Sequence, residues 1–156
     1  MAIHPSIQTA ADQFGVGEVW LQRAIDGLSD EELRRRPGNS NPLLWIVGHV
    51  GYYHAVVANI LGGEREKRWP ELFAGGAEKA DPSVLPSLDE LLAERALNTA
   101  AMEQAFGSAG EELLQTPFER NFPISDKSTA GAVNFLALHD GHHAGQMVYL
   151  RKWLGK

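Results

Sequence analysis

Apolar residues recur at the spacing of an α-helix in four long segments, and this periodicity constrains the fold more than any other feature of the sequence. The segments run from about 6 to 27, 41 to 62, 88 to 106 and 129 to 153, and glycine- or proline-rich stretches separate them. The sequence shows no strand-like alternation of convincing length. We therefore predict an all-α fold, a four-helix bundle with long crossover connections.

Several helix starts carry residues that cap a first turn. Residues 29–32 and 87–90 match the capping box, in which a serine and a glutamate each bond the other's backbone amide. Asn41 is suited to cap the second long helix, with Pro42 at its first position. Ser128 or Thr129 is expected to cap the last helix. The candidate core positions of the first helix are Ile7, Phe14, Val19, Leu21 and Ile25.

A long irregular connection, residues 64–86, follows the second long helix. It contains Pro70, the pair Gly75-Gly76 and Pro82, and connections of this length in small domains often have a function or contact a partner. The chain has 156 residues, which is enough to bury one core. We expect a single domain over residues 1–156.

The charge balance argues against a nucleic-acid partner. The formal net charge is −6, whereas binding to phosphates needs clustered lysine and arginine. The one compact basic run, residues 34–36, follows the acidic run 30–32. We interpret the two runs together as a solvated helix face.

The N-terminus and the apolar segments indicate a soluble protein. The first residues lack the basic and apolar regions of a signal peptide, and no run of about 18 consecutive apolar residues is present. We therefore expect a cytoplasmic protein with no membrane partner. Because cysteine is absent, any metal ion must be held by nitrogen or oxygen ligands.

Two histidines of the last helix, His139 and His143, are four residues apart, so both imidazoles lie on one helix face. The spacing alone is weak evidence, but the surrounding residues are apolar: Leu136, Leu138, Met147, Val148 and Leu150. Buried imidazoles need partners for their ring nitrogens. A metal ion would satisfy part of that need, and hydrogen bonds within the core are the alternative.

His49 lies in another apolar helical segment, residues 45–50. Taken alone it is more often a core histidine with a hydrogen-bond partner, but it becomes a candidate ligand if its helix faces the His139/His143 pair. His4, His54 and His142 point elsewhere. We expect them on the surface or around the ligands, with His4 in an exposed, frayed terminus.

Glycines accumulate near these histidines, although each costs about 1 kcal/mol relative to alanine in a helix interior. Gly48 and Gly51 lie in the second long helix, and Gly141 and Gly145 in the last. The clustering suggests a close approach of the two helices or space for a ligand. Incidental glycine is the alternative.

Other residues near the histidines give no clear general acid or base. Asp140 is expected to be a solvated helix residue. Gln146 either orients a ligand or simply packs. Trp45, one turn before His49, either forms a wall of the site or belongs to the core.

The sequence resembles the DinB-like (YfiT-related) family of metal-binding helical bundles. The residues that carry the resemblance are Trp45-x-x-x-His49, the segment His139-Asp140-Gly141-His142-His143-Ala144-Gly145-Gln146, and the entry at 28–33. The resemblance implies that His49, His139 and His143 bind one divalent metal, nickel or zinc first, with iron or manganese as further options. It also implies a homodimer.

Some members of that family are thiol S-transferases or isomerases that use a low-molecular-weight bacterial thiol, and many have no established activity. A three-histidine site keeps coordination positions open for a substrate. A small-molecule substrate, with a low-molecular-weight thiol as cosubstrate, is therefore one expectation. The alternatives are a metal-dependent hydrolase of a small substrate and a non-enzymatic, dimeric metal-binding module.

Overall fold

A computed structural model describes residues 2–75 and 80–156 of the chain. The described residues form seven α-helices, one short 3-10 helix at Pro82–Val84 and no strand, which confirms the predicted all-α fold. The helices are α1 Pro5–Ile25, α2 Asp30–Arg34, α3 Leu43–Ile60, α4 Pro70–Phe73, α5 Leu88–Ser108, α6 Glu111–Gln115 and α7 Thr129–Trp153.

The four long helices α1, α3, α5 and α7 form the predicted bundle. Helix α3 packs most extensively on α5, α1 packs on α7, and α3 and α7 also meet directly. Among the long helices that follow one another in the chain, only α3 and α5 pack extensively on each other. The connections 26–42 and 109–128 therefore cross the bundle. Both crossings carry a short helix, α2 and α6.

The predicted capping boxes are present at the starts of α2 and α5, and Ser128 caps α7. The prediction for α3 is wrong by one residue. Pro42, in extended conformation, is the N-cap, because its carbonyl accepts the first helical hydrogen bonds from Trp45 and Ile46. Asn41 therefore lies outside the helix and supplies no cap.

The start of α1 corrects the expectation of a frayed terminus. Nδ1 of His4 accepts a hydrogen bond from the Ser6 amide, and Nε2 lies 2.5 Å from Oε2 of Glu111. Val19 also corrects the core assignment: it is 48% exposed, because the buried stripe of α1 runs through the other four predicted positions.

The basic run 34–36, which begins with the last residue of α2, is not simply a solvated face. Arg34 pairs with Asp30 and also donates to the carbonyls of Pro82 and Leu85 in the connection before α5. It therefore ties that connection to α2. Part of the predicted irregular connection, residues 76–79, lies outside the described residues.

Helix α3 is long and apolar enough to cross a membrane by length and composition, but 78% of that window is buried inside the protein. It is surrounded by other helices, as the central helix of a bundle is. Burial on all sides explains its nearly continuous apolar sequence.

A layer of polar residues divides the core at mid-height. One apolar cluster includes Phe14, Val57, Met102 and Leu136, and the other includes Leu21, Val47, Leu91 and Met147. Between the two clusters, all four long helices carry polar residues, and these are Glu18, His49, His54, Glu94, Arg95, Asn98, His139, Asp140 and His143. The candidate site lies in this layer.

Candidate metal centre

The structure brings His49 of α3 together with His139 and His143 of α7. Nε2 of His139 lies 3.2 Å from Nε2 of His49 and 3.1 Å from Nε2 of His143. His49 and His143 are buried, and His139 is partly exposed. One nitrogen from each ring lies within 4.8 Å of the other two, so the cluster could hold a metal ion.

The hydrogen bonds at the Nδ1 atoms of His49 and His143 indicate that the Nε2 atoms of these two rings carry lone pairs. Nδ1 of His49 lies 2.8 Å from the carbonyl oxygen of Phe73, and Nδ1 of His143 lies 2.8 Å from Oε1 of Gln146. Both oxygens accept hydrogen bonds, so we assign the proton of each ring to Nδ1. The Nε2 atoms of His49 and His143 then face the cluster as acceptors.

His139 cannot satisfy both of these acceptors. A neutral imidazole has one N–H, so His139 can donate to only one of its two neighbours. Its own buried Nδ1 has no hydrogen-bond partner among the described residues. Converging nitrogen lone pairs with too few protons are the donor set that zinc, nickel and related divalent ions prefer. The residues present therefore fit a metal ion.

The protonation states favour the same chemistry. Burial, with the neighbouring rings of His143 and His139, lowers the pKa of His49 to about 3. Burial and His143 lower the pKa of His139 to about 4, and burial also lowers the pKa of His143. The three imidazoles are thus neutral near pH 7, as metal ligands must be.

Aromatic rings enclose the cluster on the α3 side. Trp45 stacks on His49 with ring centroids 4.4 Å apart, and its Nε1 donates to the Leu72 carbonyl. Tyr53 lies 4.9 Å from His49 and 4.7 Å from His139 between ring centroids. Trp45 therefore forms a wall of the site, as one of the two alternatives predicted.

Gln146 makes a hydrogen bond to a ring of the cluster rather than simply packing. Its Oε1 accepts from His143, and its Nε2 lies 3.0 Å from Nε2 of His142. His142 is exposed, in agreement with its predicted place around the ligands. The side chain of Gln146 thus links an exposed histidine to a buried one.

The structure corrects the expectations for two neighbouring polar residues. Asp140 is buried, so the prediction that it is solvated is wrong, and His54, 1% exposed, does not lie on the surface, the first of the two places expected for it. Oδ1 of Asp140 lies 3.4 Å from Nε2 of His54, and Nδ1 of His54 bonds Thr99. The physical reason is Gly17 of α1: a Cβ there would collide with the Asp140 carboxylate. Its absence lets the carboxylate lie inside the bundle.

The glycines near the histidines do not bring α3 and α7 together. A Cβ at Gly48 would collide with the Phe73 ring, and one at Gly51 would press on Arg95 of α5. Gly141 and Gly145 have open space beside them. The close approach is therefore to α4 and α5. Of the apolar neighbours predicted around the α7 pair, Leu138 and Val148 are exposed because they lie on its outer face.

Sequence reasoning missed three groups near the centre. Tyr53 could have been found, because it follows His49 by one helical turn. The Phe73 carbonyl could not, because a backbone acceptor 24 residues away leaves no sequence signal. Arg120, whose charge acts on His139, lies in a connection without periodicity.

The fold and the cluster define a class, a helical bundle with a buried histidine triad between two of its helices. Residues 19–147 match the family model described as the DinB superfamily, and the chain belongs to this family. The match includes all three clustered histidines and confirms the resemblance noted from the sequence. No curated protein matches the chain.

Proposed function

We propose that the protein binds one divalent metal ion through Nε2 of His49, His139 and His143, nickel or zinc in preference to iron or manganese. The observation that carries this proposal is the arrangement of the Nδ1 atoms. The Phe73 carbonyl and Gln146 hold two of the rings with their lone pairs directed at His139. Removal of any one ring would leave two ligands, too few for a stable site.

We further propose that the loaded protein is a thiol S-transferase whose cosubstrate is a low-molecular-weight thiol. A bound divalent ion lowers the pKa of a thiol and leaves positions open for a substrate. The chain contains no cysteine, so the thiol comes from a second molecule. Trp45 and Tyr53 exclude water from one side of the cluster, and the partly exposed ring of His139 marks the side open to substrates.

The activity is tested by incubating nickel- or zinc-loaded protein with small bacterial thiols and a model electrophile. We expect metal-dependent consumption of thiol that is lost in His139→Ala and kept in His4→Ala, which removes a histidine outside the cluster. Ester hydrolysis without thiol would instead indicate a metal-dependent hydrolase. Metal binding without either turnover would indicate a non-enzymatic metal-binding module and contradict the transferase proposal.

We also propose a cytoplasmic homodimer. Val16, Trp20 and Leu138 are exposed apolar residues beside one another on α1 and α7. Burial of such a patch between two copies would remove apolar surface from water. Sedimentation equilibrium is expected to give twice the chain mass, and a shift to the chain mass in Trp20→Glu would locate the interface. A wild-type monomer would contradict it.

A further inference from the structure

Among the described residues, an arginine lies near the partly exposed side of the histidine cluster. Arg120, in the connection between α6 and α7, is exposed. Its guanidinium lies near the Tyr53 hydroxyl, and the Tyr53 ring contacts His139, the most accessible ring of the cluster.

Arg120 is held in place by rings rather than by an acid. Its guanidinium carbon lies 5.2 Å from the centroid of Phe122, and Phe122 stacks on Phe118 and Phe135. Within residues 2–75 and 80–156, no carboxylate forms an ion pair with it. In a chain with 20 acidic and 14 basic residues, such a cation remains free to bind an anion.

Tyr53 supplies a second donor at the same place. A Cβ built on Gly75 would lie 2.7 Å from the Tyr53 hydroxyl oxygen and 3.6 Å from Nη2 of Arg120. The two groups thus meet at Gly75, whose missing side chain lets the Tyr53 hydroxyl pack against it. The φ angle of Gly75 is not positive, so its conformation does not explain the glycine. The Tyr53 ring also contacts His49 and His139, which places the two groups beside the cluster.

We propose that Arg120, Tyr53 and Gly75 form an anion-binding subsite at the mouth of the histidine cluster. A guanidinium has only donors, and a phenol O–H is a donor, so the pair matches the acceptor oxygens of a carboxylate or phosphate. The ligand class is a small molecule with an anionic group at one end. In the context of the proposed thiol transfer, on which this assignment of a substrate rests, that molecule is a thiol whose other end is charged.

The first test uses metal-free protein, so that it does not depend on thiol chemistry. Propionate and inorganic phosphate are titrated separately while the Nε–Hε signal of Arg120 is followed by NMR. We expect a saturable shift with one or both anions, and the stronger binder identifies the anion. The same titration in Gly75→Ala should weaken binding, because the methyl group would displace the Tyr53 hydroxyl. An unchanged Arg120 signal with both anions would overturn the proposal.

The second test uses cobalt-loaded protein and compares 3-mercaptopropionate with the neutral 3-mercaptopropanol. Thiol binding is read from the thiolate-to-cobalt charge-transfer band. We expect about tenfold tighter binding of the charged thiol to the wild type, with the preference lost in Arg120→Gln. Arg23→Gln, which removes an exposed arginine of α1, is the matched control and should keep the preference. Equal affinity for the two thiols in the wild type would contradict the subsite.

Different results would contradict the proposal of thiol transfer and the proposal of an anion-binding subsite. If neither thiol binds cobalt-loaded protein, thiol transfer is wrong, and the NMR titration alone decides the anion subsite. If both thiols bind equally and Arg120 does not respond to anions, the subsite is wrong, whereas the proposed thiol chemistry stands. Arg120→Lys separates charge from geometry, because lysine keeps the charge without the planar fork of donors.

Discussion

At the scale of single residues, hydrogen-bond acceptors at the Nδ1 atoms set the orientation of two rings of the histidine cluster. The Phe73 carbonyl and Gln146 fix the tautomers of His49 and His143, so that their Nε2 atoms face His139. A hydrogen-bond acceptor at the ring nitrogen that does not bind the metal raises the basicity of the other nitrogen and holds the ring in one orientation. Two predictions concern these single residues.

Gln146→Leu is expected to weaken metal binding by about 10–100-fold, because His143 loses the acceptor for its Nδ1–H. Gln146→Glu keeps an acceptor oxygen at the same place and should retain most of the affinity. Competition with a chromogenic chelator measures both constants. Equal affinity of the leucine variant and the wild type would show that Gln146 does not position the ligand.

The metal affinity of the folded protein is expected to change little between pH 8 and pH 6. The pKa values of His49 and His139 are lowered to about 3 and about 4, so these ligands release no proton when metal binds in that range. Isothermal titration at several pH values measures the affinity. A drop of about tenfold per pH unit below pH 7 would mean that a ligand must first lose a proton there.

The same lowered pKa values set the acid stability of the metal-free protein. Between pH 6.5 and about 4, the unfolded chain binds protons at these histidines and the folded chain does not, so stability falls as the pH falls. The expected loss is about 1.4 kcal/mol per pH unit for each such histidine. Urea unfolding at pH 7 and pH 5 measures it, and equal stability at both values would refute the lowered pKa values.

At the scale of elements, α1 and α7 meet where a glycine faces a carboxylate. Gly17 leaves room for Asp140, and Asp140 contacts His54 across the bundle. Glu18, the next residue of α1, pairs with the buried Arg95 of α5. The polar layer thereby connects all four long helices.

Gly17→Ala is expected to lower the free energy of unfolding by about 1–3 kcal/mol, because the new methyl group displaces the buried carboxylate. Gly15→Ala is the matched control on the same helix, since a Cβ there meets open space. It should raise stability by about 1 kcal/mol through helix propensity. Thermal unfolding measures the Tm of both variants. A shift of both Tm values in the same direction would contradict the contact between Gly17 and the Asp140 carboxylate.

The sequence predicted most of the elements because their signals are local. Both capping boxes, the bounds of α7 within a residue and the helical spacing of His139 and His143 depend on neighbouring residues along the chain. Two failures are local, the Asn41 cap and the core assignment of Val19, and the others concern contacts between distant segments. Nothing near Asp140 in sequence reveals that Gly17, on another helix, makes room for it, and the Arg34 contacts with residues 82–85 are similarly remote.

The candidate site was likewise predictable only where its signals lie close together in the sequence. Spacing and apolar neighbours placed His139 and His143 on one face, whereas His49 depended on the family resemblance for its assignment. The placement of α4, whose last residue provides the Phe73 carbonyl, and the position of Arg120 follow from the tertiary structure alone.

At the scale of the whole molecule, metal binding is expected to stabilise the fold, because the ligands come from two helices that the unfolded chain does not hold together. Free metal at 100 times the dissociation constant would add about 2.7 kcal/mol to the free energy of unfolding. For a chain of this size, that corresponds to a rise in Tm of roughly 5–11 °C. His4→Ala should show the same rise and His49→Ala should not, and a rise in both would place the metal elsewhere.

The metal content of untagged protein tests the central claim most directly. Elemental analysis of purified wild type, after loading with nickel or zinc and removal of the excess, is expected to give about one equivalent per chain. His49→Ala, His139→Ala and His143→Ala, each checked for helical content by circular dichroism, should retain far less, whereas His4→Ala should match the wild type. A wild type without bound metal, or all three ligand variants with full occupancy, would contradict the account.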